Sequence, residues 1–207
     1  EFEAYLKIVK VDAETGETIP YAGATFEIYD PDGNLVTMTT TYPEVLEHTQ
    51  FTTNEEGWLI TPEVLDYGEG YSIVEKEAPY GYVLNSDPVY FDVTPENAVS
   101  EDGIVLVIAE KENAPQKGTI TIEKTGEVFS SVEIQEGKLQ DRYKPIYAES
   151  GLEGAEFEIR AAEDIVTPDG TLRYSAGEVV DTLTTSADGT ATSTELYLGK
   201  YEIVETK

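Results

Sequence analysis

The sequence predicts an all-β protein built from β-sandwiches in tandem. Short runs in which apolar and polar residues alternate recur along the chain, such as YLKIVKV, ATFEIYD, PVYFDV and GIVLVIA, and this alternation is typical of half-buried strands. Turn sequences such as PDGN, NEEG and YGEG separate the runs. Long helical periodicity is missing, and YPEVLEH and TPEVLDYG are each expected to form a helical turn or two at most.

Three motifs occur twice, so the chain is predicted to hold two copies of one module. The matched pairs are GATFEI and GAEFEI at 23–28 and 154–159, TTNEEG and TTSADG at 52–57 and 184–189, and YSIVE and YEIVE at 71–75 and 201–205. These pairs are offset by 130 to 132 residues. The opening strands LKIVKVD and ITIEKTG align through Lys10 and Lys124 at an offset of only 114. The difference indicates an insertion of about 17 residues in the second copy.

The repeats predict a complete β-sandwich over 1–115 and a second one over 116–207. The second carries the insertion, near 130–150, and is expected to lack its last strands. The junction ENAPQKG at 112–118 is short and contains a proline and a glycine, which favours a fixed arrangement of the two domains. The opening EFEAYLKIVK does not have the layout of a signal peptide, so we expect an internal piece of a longer protein.

The charge balance argues against two classes of partner. Acidic residues outnumber basic residues by 42 to 13, which gives a net charge of −29. Such a surface repels phosphate backbones and anionic lipid headgroups, so neither nucleic-acid binding nor membrane binding is expected. Membrane insertion is not expected either, because no apolar run approaches the roughly 18 residues of a membrane span.

The residue types available limit the possible chemistry. Cysteine is absent, which excludes disulfides, thiolate metal sites and a cysteine nucleophile. His48 is the only histidine, and it is predicted on the surface of a short helical insertion that begins near Pro43. The segments DPDGN at 30–34 and TPDGT at 167–171 are interpreted as β-turns, since they lack the ligand spacing of a calcium loop. No metal site and no cofactor is predicted.

Charged residues occupy positions that the alternation directs toward a core. The pattern directs Lys10 inward from YLKIVKV and Glu75 inward from YSIVE. Lys124 and Glu205 hold the same positions in the second copy. Buried charges need partners, and the pattern alone is compatible with a buried Lys–Glu ion pair, with a bulge that turns both groups to solvent, or with a chemical role.

The chemical role would follow from desolvation. Apolar surroundings favour the neutral form of an amine and of a carboxylic acid, and a neutral lysine amine is a nucleophile. If an asparagine side chain lies beside them, the amine attacks the carboxamide carbon while the acid polarises the oxygen and transfers protons. Ammonia leaves, and the product is an intramolecular isopeptide bond.

The order of motifs in the first copy resembles the collagen-adhesin B-type and SpaA-like pilin modules of Gram-positive surface proteins. The matching features are Lys10 with Asp12, GATF at 23–26, Glu75 followed by APYGY at 78–82, and Asn113 before Pro115. The resemblance implies a transthyretin-like (prealbumin-like) β-sandwich. It also implies that Lys10 is the nucleophile, Asn113 the acceptor and Glu75 the assisting acid, with Glu205 at the equivalent position in the second domain.

The final strand of the first copy raises a question of register. In IVLVIAEKEN, Asn113 shares its face with apolar residues but also with Lys111. Burial of Asn113 therefore predicts that Lys111 lies beyond the edge of the sheet, or that a bulge shifts the register.

The second copy lacks an acceptor for its lysine. No asparagine follows Asn113 in the sequence, so Lys124 is predicted to remain an unmodified amine, paired with Glu205 as a buried or half-buried ion pair. An exposed sheet edge is also expected where the missing strands would lie.

These inferences favour a structural role. The chain is expected to be a stalk or backbone segment of a cell-wall-attached adhesin or pilus outside a Gram-positive cell, and to carry out one self-directed reaction rather than enzymatic turnover. Its expected partners are neighbouring domains of the same surface protein or other pilus subunits. The alternative is a ligand-binding adhesin module that uses the insertions at 38–52 and 130–150. Exposed aromatic residues clustered on an insertion would favour the alternative, and solvated charge there would favour a spacer.

Overall fold

The computed structural model describes residues 1–207, and every regular element in it is a β-strand. The predicted all-β class is therefore confirmed. The chain divides into two compact units, one formed by Glu1–Gln116 with Thr167–Thr171, the other by Lys117–Val166 with Leu172–Lys207. The structure contains no helix that is long and apolar enough to cross a membrane.

The first unit contains eleven strands, which its many short turns connect. They are β1 (Glu3–Asp12), β2 (Thr25–Tyr29), β3 (Met38–Thr40), β4 (Leu46–His48), β5 (Phe51–Thr52), β6 (Trp58–Ile60), β7 (Leu65–Asp66), β8 (Gly68–Glu77), β9 (Val89–Val93), β10 (Ala98–Glu101) and β11 (Ile104–Asn113).

Two sheets face each other in this unit. One has the order β10-β11-β1-β6, with β7 also pairing with β1, and the other has the order β5-β2-β8-β9. The pairing of β1 with β11 is parallel, whereas the pairings of β1 with β6 and β7 are antiparallel. Buried apolar side chains from both sheets form one cluster, which includes Leu6, Ile8, Phe26, Ile73 and Val107. The first unit is therefore a β-sandwich.

Alternation along β1 and β8 explains how charged residues reach this core. Leu6, Ile8 and Lys10 on β1 are fully buried, whereas the residues between them are only partly buried. On β8, Ile73 and Glu75 are fully buried in the same alternating manner. Because successive side chains of a strand point to opposite faces, a single residue can be turned outward only by a β-bulge.

The two segments expected to form helical turns do not form them. Residues 46–48 are β4, which forms a hairpin with β3, and residues 65–66 are β7, which pairs with β1. His48 is half-buried on β4, and its Nε2 lies 2.8 Å from Thr40 Oγ1. The helical prediction was wrong because a helix of one or two turns is unstable by itself, whereas cross-strand pairing supplies these residues with hydrogen bonds.

The second unit also contains eleven strands. They are β12 (Lys117–Gly118), β13 (Thr121–Glu123), β14 (Thr125–Gln135), β15 (Arg142–Gly151), β16 (Glu156–Ala161), β17 (Ile165–Val166), β18 (Leu172–Tyr174), β19 (Val179–Thr184), β20 (Thr190–Thr192), β21 (Leu196–Tyr197) and β22 (Tyr201–Glu205).

The second unit has a smaller core. Its main sheet has the order β19-β16-β22, and the remaining strands pair two by two as β12-β21, β13-β20, β17-β18 and β14-β15. The buried cluster consists of Ile122, Phe157, Ile159, Leu183 and Leu196. β22 pairs only with β16, whereas β8, which carries the matching motif in the first unit, pairs on both sides with β2 and β9. One edge of β22 is therefore open.

Candidate cross-linking site

Lys10, Glu75 and Asn113 meet inside the first sandwich. Lys10 and Asn113 come from the adjacent parallel strands β1 and β11, where Lys10 is in register with Lys111, and Asp12 with Asn113. Residues in register on neighbouring strands project to the same face of the sheet, so both side chains point into the core. Glu75 comes from β8 in the facing sheet. The sandwich itself thus brings the amine, the carboxamide and the carboxyl group together.

The three side chains are in direct polar contact. Lys10 Nζ lies 2.9 Å from Glu75 Oε1 and contacts Asn113 Oδ1. Asn113 Nδ2 donates hydrogen bonds to Glu75 Oε2 at 2.6 Å and to Val83 O at 2.8 Å. Glu75 Oε1 has no other polar partner. The Glu75 carboxyl group therefore bridges the amine and the carboxamide, with one oxygen toward each.

The surroundings of Lys10 favour its neutral form. Burial lowers the pKa of Lys10 from 10.5 to about 8, and the hydrogen bond and charge of Glu75 oppose this change. The ring of Phe26 lies 5.8 Å from Nζ, so one side of the amine is apolar. Nζ also donates to Lys111 O at 2.8 Å. At neutral pH the neutral, nucleophilic amine is thus far more abundant than for a lysine in water.

Lys111 does not lie where the sequence pattern suggested. The parallel register of β1 and β11 runs without interruption from Tyr5 and Leu106 to Asp12 and Asn113, so there is no bulge. Lys111 is 3% exposed rather than beyond the sheet edge. Its Nζ donates to Asp87 O at 2.6 Å, and this backbone partner allows the strand to keep its register while a lysine remains inside.

A backbone segment at 82–85 completes the site. Val83 supplies the carbonyl that binds Asn113 Nδ2, and Asn85 N donates to Glu75 Oε2 at 3.2 Å. The segment is fixed by Tyr82, which is buried and donates its hydroxyl to Asp12 Oδ2 at 2.8 Å. Burial and this hydrogen bond raise the pKa of Tyr82 above its usual value, so the phenol stays a donor.

Sequence reasoning missed the backbone groups of this segment. Carbonyl and amide groups leave no signal in residue type. The APYGY motif lies at this segment, but as a sequence motif it indicates the family resemblance and not these backbone contacts. Tyr82 follows Gly81, whose φ of 83° is a backbone conformation that glycine adopts without strain. That turn aims Tyr82 at Asp12.

The matching lysine and glutamate of the second unit are close but not enclosed. Lys124 Nζ lies 3.0 Å from the Glu205 carboxylate, and the two side chains are 34% and 44% exposed. The inward position predicted for Glu205 is therefore wrong. Lys124 lies one residue past the end of β13, and β22 has no strand on its outer side, so nothing covers the pair. Exposed ion pairs of this kind contribute little to stability.

No cluster of three or more His, Cys, Asp or Glu residues suited to a metal ion occurs among residues 1–207.

The sequence model of the SpaA family, described as a prealbumin-like fold domain, matches residues 4–104 and 146–207. This chain belongs to the SpaA family. The match includes Lys10 and Glu75 but not Asn113, so the assignment of the acceptor depends on the structure of the site. No curated protein sequence matches this SpaA-family chain.

Solved structures are similar to the SpaA-family chain to different degrees. The Bacillus anthracis TIE protein is 24% identical with a TM-score of 0.52, over 100% of this chain and 29% of that protein. The group B streptococcus pilus 2b backbone protein is 26% identical with a TM-score of 0.38, over 54% of this chain and 41% of that one. BcpA, the major pilin subunit of Bacillus cereus, is 15% identical with a TM-score of 0.41, over 99% of this chain and 88% of that one. The chain thus spans less than half the length of the first two.

Proposed function

We propose that this SpaA-family chain is a structural segment of a Gram-positive cell-surface adhesin or pilus, with modules at 1–115 and 116–207. We further propose that the first module is locked by an isopeptide bond between Lys10 and Asn113. The observation that carries the proposal is the buried contact between the Lys10 amine and the Asn113 carboxamide, bridged by Glu75. Family membership supports the module class, and neighbouring domains or pilus subunits are the partners that such a module has.

The reaction balances without any cofactor. Lys10 passes a proton to Glu75, and the neutral amine attacks Asn113 Cγ. Glu75 polarises the carboxamide and returns the proton to Nδ2, the Cγ–Nδ2 bond breaks, and ammonia leaves. The attacking nitrogen still carries one proton more than an amide nitrogen, and it gives this proton to the departing ammonia. The product is a secondary amide between Lys10 Nζ and Asn113 Cγ. Glu75 ends as it began, but the lysine and asparagine are consumed, so the chain undergoes one reaction and is not an enzyme with turnover.

The bond would suit a chain under tension. It closes a loop of 103 residues, and the chain-entropy relation used for disulfides gives a loop of this size about 4 to 5 kcal/mol of stabilisation. Because β1 and β11 are the first and last strands of the module, a pulling force applied at its ends would pass through the covalent link. The rest of the sandwich would carry little of that force. A chain without cysteine gains by this route what a disulfide would otherwise supply.

Intact mass tests the proposal directly. The folded wild-type protein is expected to weigh less than its sequence by one ammonia, and a peptide joining the segments around residues 10 and 113 is expected after digestion. Asn113→Ala removes the acceptor and should restore the sequence mass. Asn97→Ala is a matched control, since Asn97 is exposed in the turn before β10 and does not contact the site, and it should still lose ammonia. A folded wild type with the unmodified mass would refute the cross-link.

The rate of bond formation should depend on pH through Lys10. The pKa of Lys10 is lowered from 10.5 to about 8 in the folded chain, so between pH 6 and 8 the Lys10–Glu75 pair holds the proton that passes from the amine to the carboxylate. Because this transfer is internal, the rate should change little with pH in that range. Above about pH 8 the amine loses this proton to solvent, Glu75 has none to give to Nδ2, and the rate should fall about tenfold per pH unit. Unlinked chain purified in denaturant can be refolded at each pH and followed by mass. A rate that rises steadily from pH 6 to 9 would contradict proton transfer from Lys10 through Glu75.

The alternative of a ligand-binding adhesin has one observation in its favour. Aromatic side chains cluster on the hairpin at 125–151, where Phe129, Tyr143 and Tyr147 are all more than half exposed. Exposed aromatic residues clustered on an insertion are the arrangement expected of a binding module and not of a simple spacer. The two functions are compatible, because the hairpin belongs to the second unit and the cross-linking site to the first.

A further inference from the structure

The strands β14 and β15 form a long two-stranded ribbon with no third strand beside them. Every residue from 129 to 150 is exposed. A two-stranded ribbon has no interior of its own and is at best marginally stable in water. Its order must therefore come from the strand pairing and from whatever its faces contact.

One face of the ribbon is apolar over its whole outer length. Cross-strand partners project to the same side, and three successive pairs on this side are Phe129 with Tyr147, Val132 with Pro145, and Ile134 with Tyr143. A bulge between Phe129 and Ser131 adds one residue to β14, which keeps these apolar residues on one face although their spacing changes. We call these six residues the apolar face.

The other side of the ribbon is polar by comparison. Its pairs include Glu133 with Lys144 and Gln135 with Arg142. The ribbon is thus amphipathic, and its apolar side is open to solvent. Ile134 is 58% and Tyr143 69% exposed. Contiguous apolar patches of this kind on a soluble protein mark interaction surfaces.

The area of the apolar face matches the requirement of a symmetric dimer. The exposed parts of three aromatic and three smaller apolar side chains amount to roughly 600 Å². Two copies stacked face to face would bury roughly 1,200 Å² in total, which is the lower bound for specific interfaces.

Charge also favours a second copy at this place. The chain carries a net charge of −29, so two copies repel each other across most of their surfaces. Residues 130–147 are an exception, because they contain three acidic and three basic residues, Glu133, Glu136, Asp141, Lys138, Arg142 and Lys144. The outer part of the ribbon, residues 130–147, is therefore neutral within an acidic molecule, whereas Glu127 and Glu149 lie nearer its base. A second copy can approach this outer part without net repulsion.

We propose that the apolar face of the β14–β15 ribbon binds the same face of a second copy of this chain, forming a two-fold stack of ribbons. The interface is isologous, so each residue of the face meets the face of its partner. The aromatic rings contribute most of the contact, and the charged residues lie at the rim. The proposal is independent of the cross-link in the first unit.

Sedimentation equilibrium of the full chain tests the stack. The wild type is expected to reach the dimer mass as its concentration rises, and more readily at higher salt, which screens the remaining repulsion. Ile134→Ser with Tyr143→Ser should raise the dissociation constant at least about tenfold. Glu133→Ser with Lys144→Ser is the matched control on the opposite face. Its side chains form only a 4.0 Å surface ion pair, so the control should dimerise as the wild type does.

A second measurement does not depend on polar substitutions that could unfold the ribbon. Because the chain has no cysteine, Val132→Cys places a single thiol at the centre of the apolar face, and Glu133→Cys places one on the other face. Mild oxidation should join two copies of the Val132→Cys chain faster than two copies of the Glu133→Cys chain.

Three results would overturn the proposal. The first is a wild type that stays monomeric up to a protein concentration of about 1 mM, since a dissociation constant above that value corresponds to very weak binding. The second is dimerisation that the Ile134→Ser and Tyr143→Ser changes leave untouched, since another surface would then be responsible. The third is a monomeric wild type that binds phosphatidylcholine vesicles through the same two residues, which would assign the face to lipid.

Discussion

Replacing Glu75 by glutamine or alanine is expected to slow formation of the Lys10–Asn113 bond by about 10² to 10⁴-fold, the usual contribution of a positioned acid or base. Glu75 contacts both reacting groups, with Oε1 at 2.9 Å from Lys10 Nζ and Oε2 at 2.6 Å from Asn113 Nδ2. Glutamine retains the shape but cannot exchange a proton, and alanine removes the group. Either change leaves the amine without a neighbouring base that can take up its proton, although Nζ can still donate to Lys111 O, while the apolar core of the sandwich is untouched.

The measurement is the mass of refolded chain as a function of time. Glu75→Gln and Glu75→Ala should keep the sequence mass while circular dichroism reports an unchanged β-sheet content. Glu77→Gln is the matched control, because Glu77 lies two residues further along β8 and is exposed, and it should lose ammonia at the wild-type rate. Complete bond formation in both Glu75 variants would show that the carboxyl group is only structural.

The sequence predicted those parts of the fold that depend on local alternation. The period-two pattern of β1 and β8 directed Lys10 and Glu75 inward, and both are fully buried. The same pattern is less reliable where a strand is short or uncovered. Glu205 follows the register of Glu75, yet it is 44% exposed at the side chain, because burial depends on the strands that cover a face and not on the parity of the residue.

Other features of the site depend on contacts between distant parts of the chain. The parallel pairing of β1 with β11, which sets Asn113 beside Lys10, joins the two ends of a module, and no local pattern encodes the choice of partner strand. The burial of Lys111 depends on a single backbone carbonyl, Asp87 O. His48 was expected on a helical turn and lies on β4, since the hairpin with β3 decided the conformation of that segment.

Limited proteolysis is expected to destroy the second unit well before the first. The buried apolar cluster of the first unit has 15 members and that of the second has 5, so the first loses far more apolar burial on opening. β22 is open at one edge, and the ribbon presents Lys138 and Arg142 in and beside its exposed turn. Exposed turns are the usual first sites of cleavage, and trypsin should therefore cut there before anywhere else.

The expected product is a resistant fragment that ends near Gln116 and lacks one ammonia. Asn113→Ala separates the two causes of its resistance. Without the bond the first unit keeps its larger core, so it should still outlast the second, but it should be cleaved faster than in the wild type because about 4 to 5 kcal/mol of stabilisation is lost. Equal resistance of the wild type and Asn113→Ala would mean that the core alone protects the first unit. A surviving fragment from the C-terminal half, with the N-terminal half digested first, would refute the predicted asymmetry altogether.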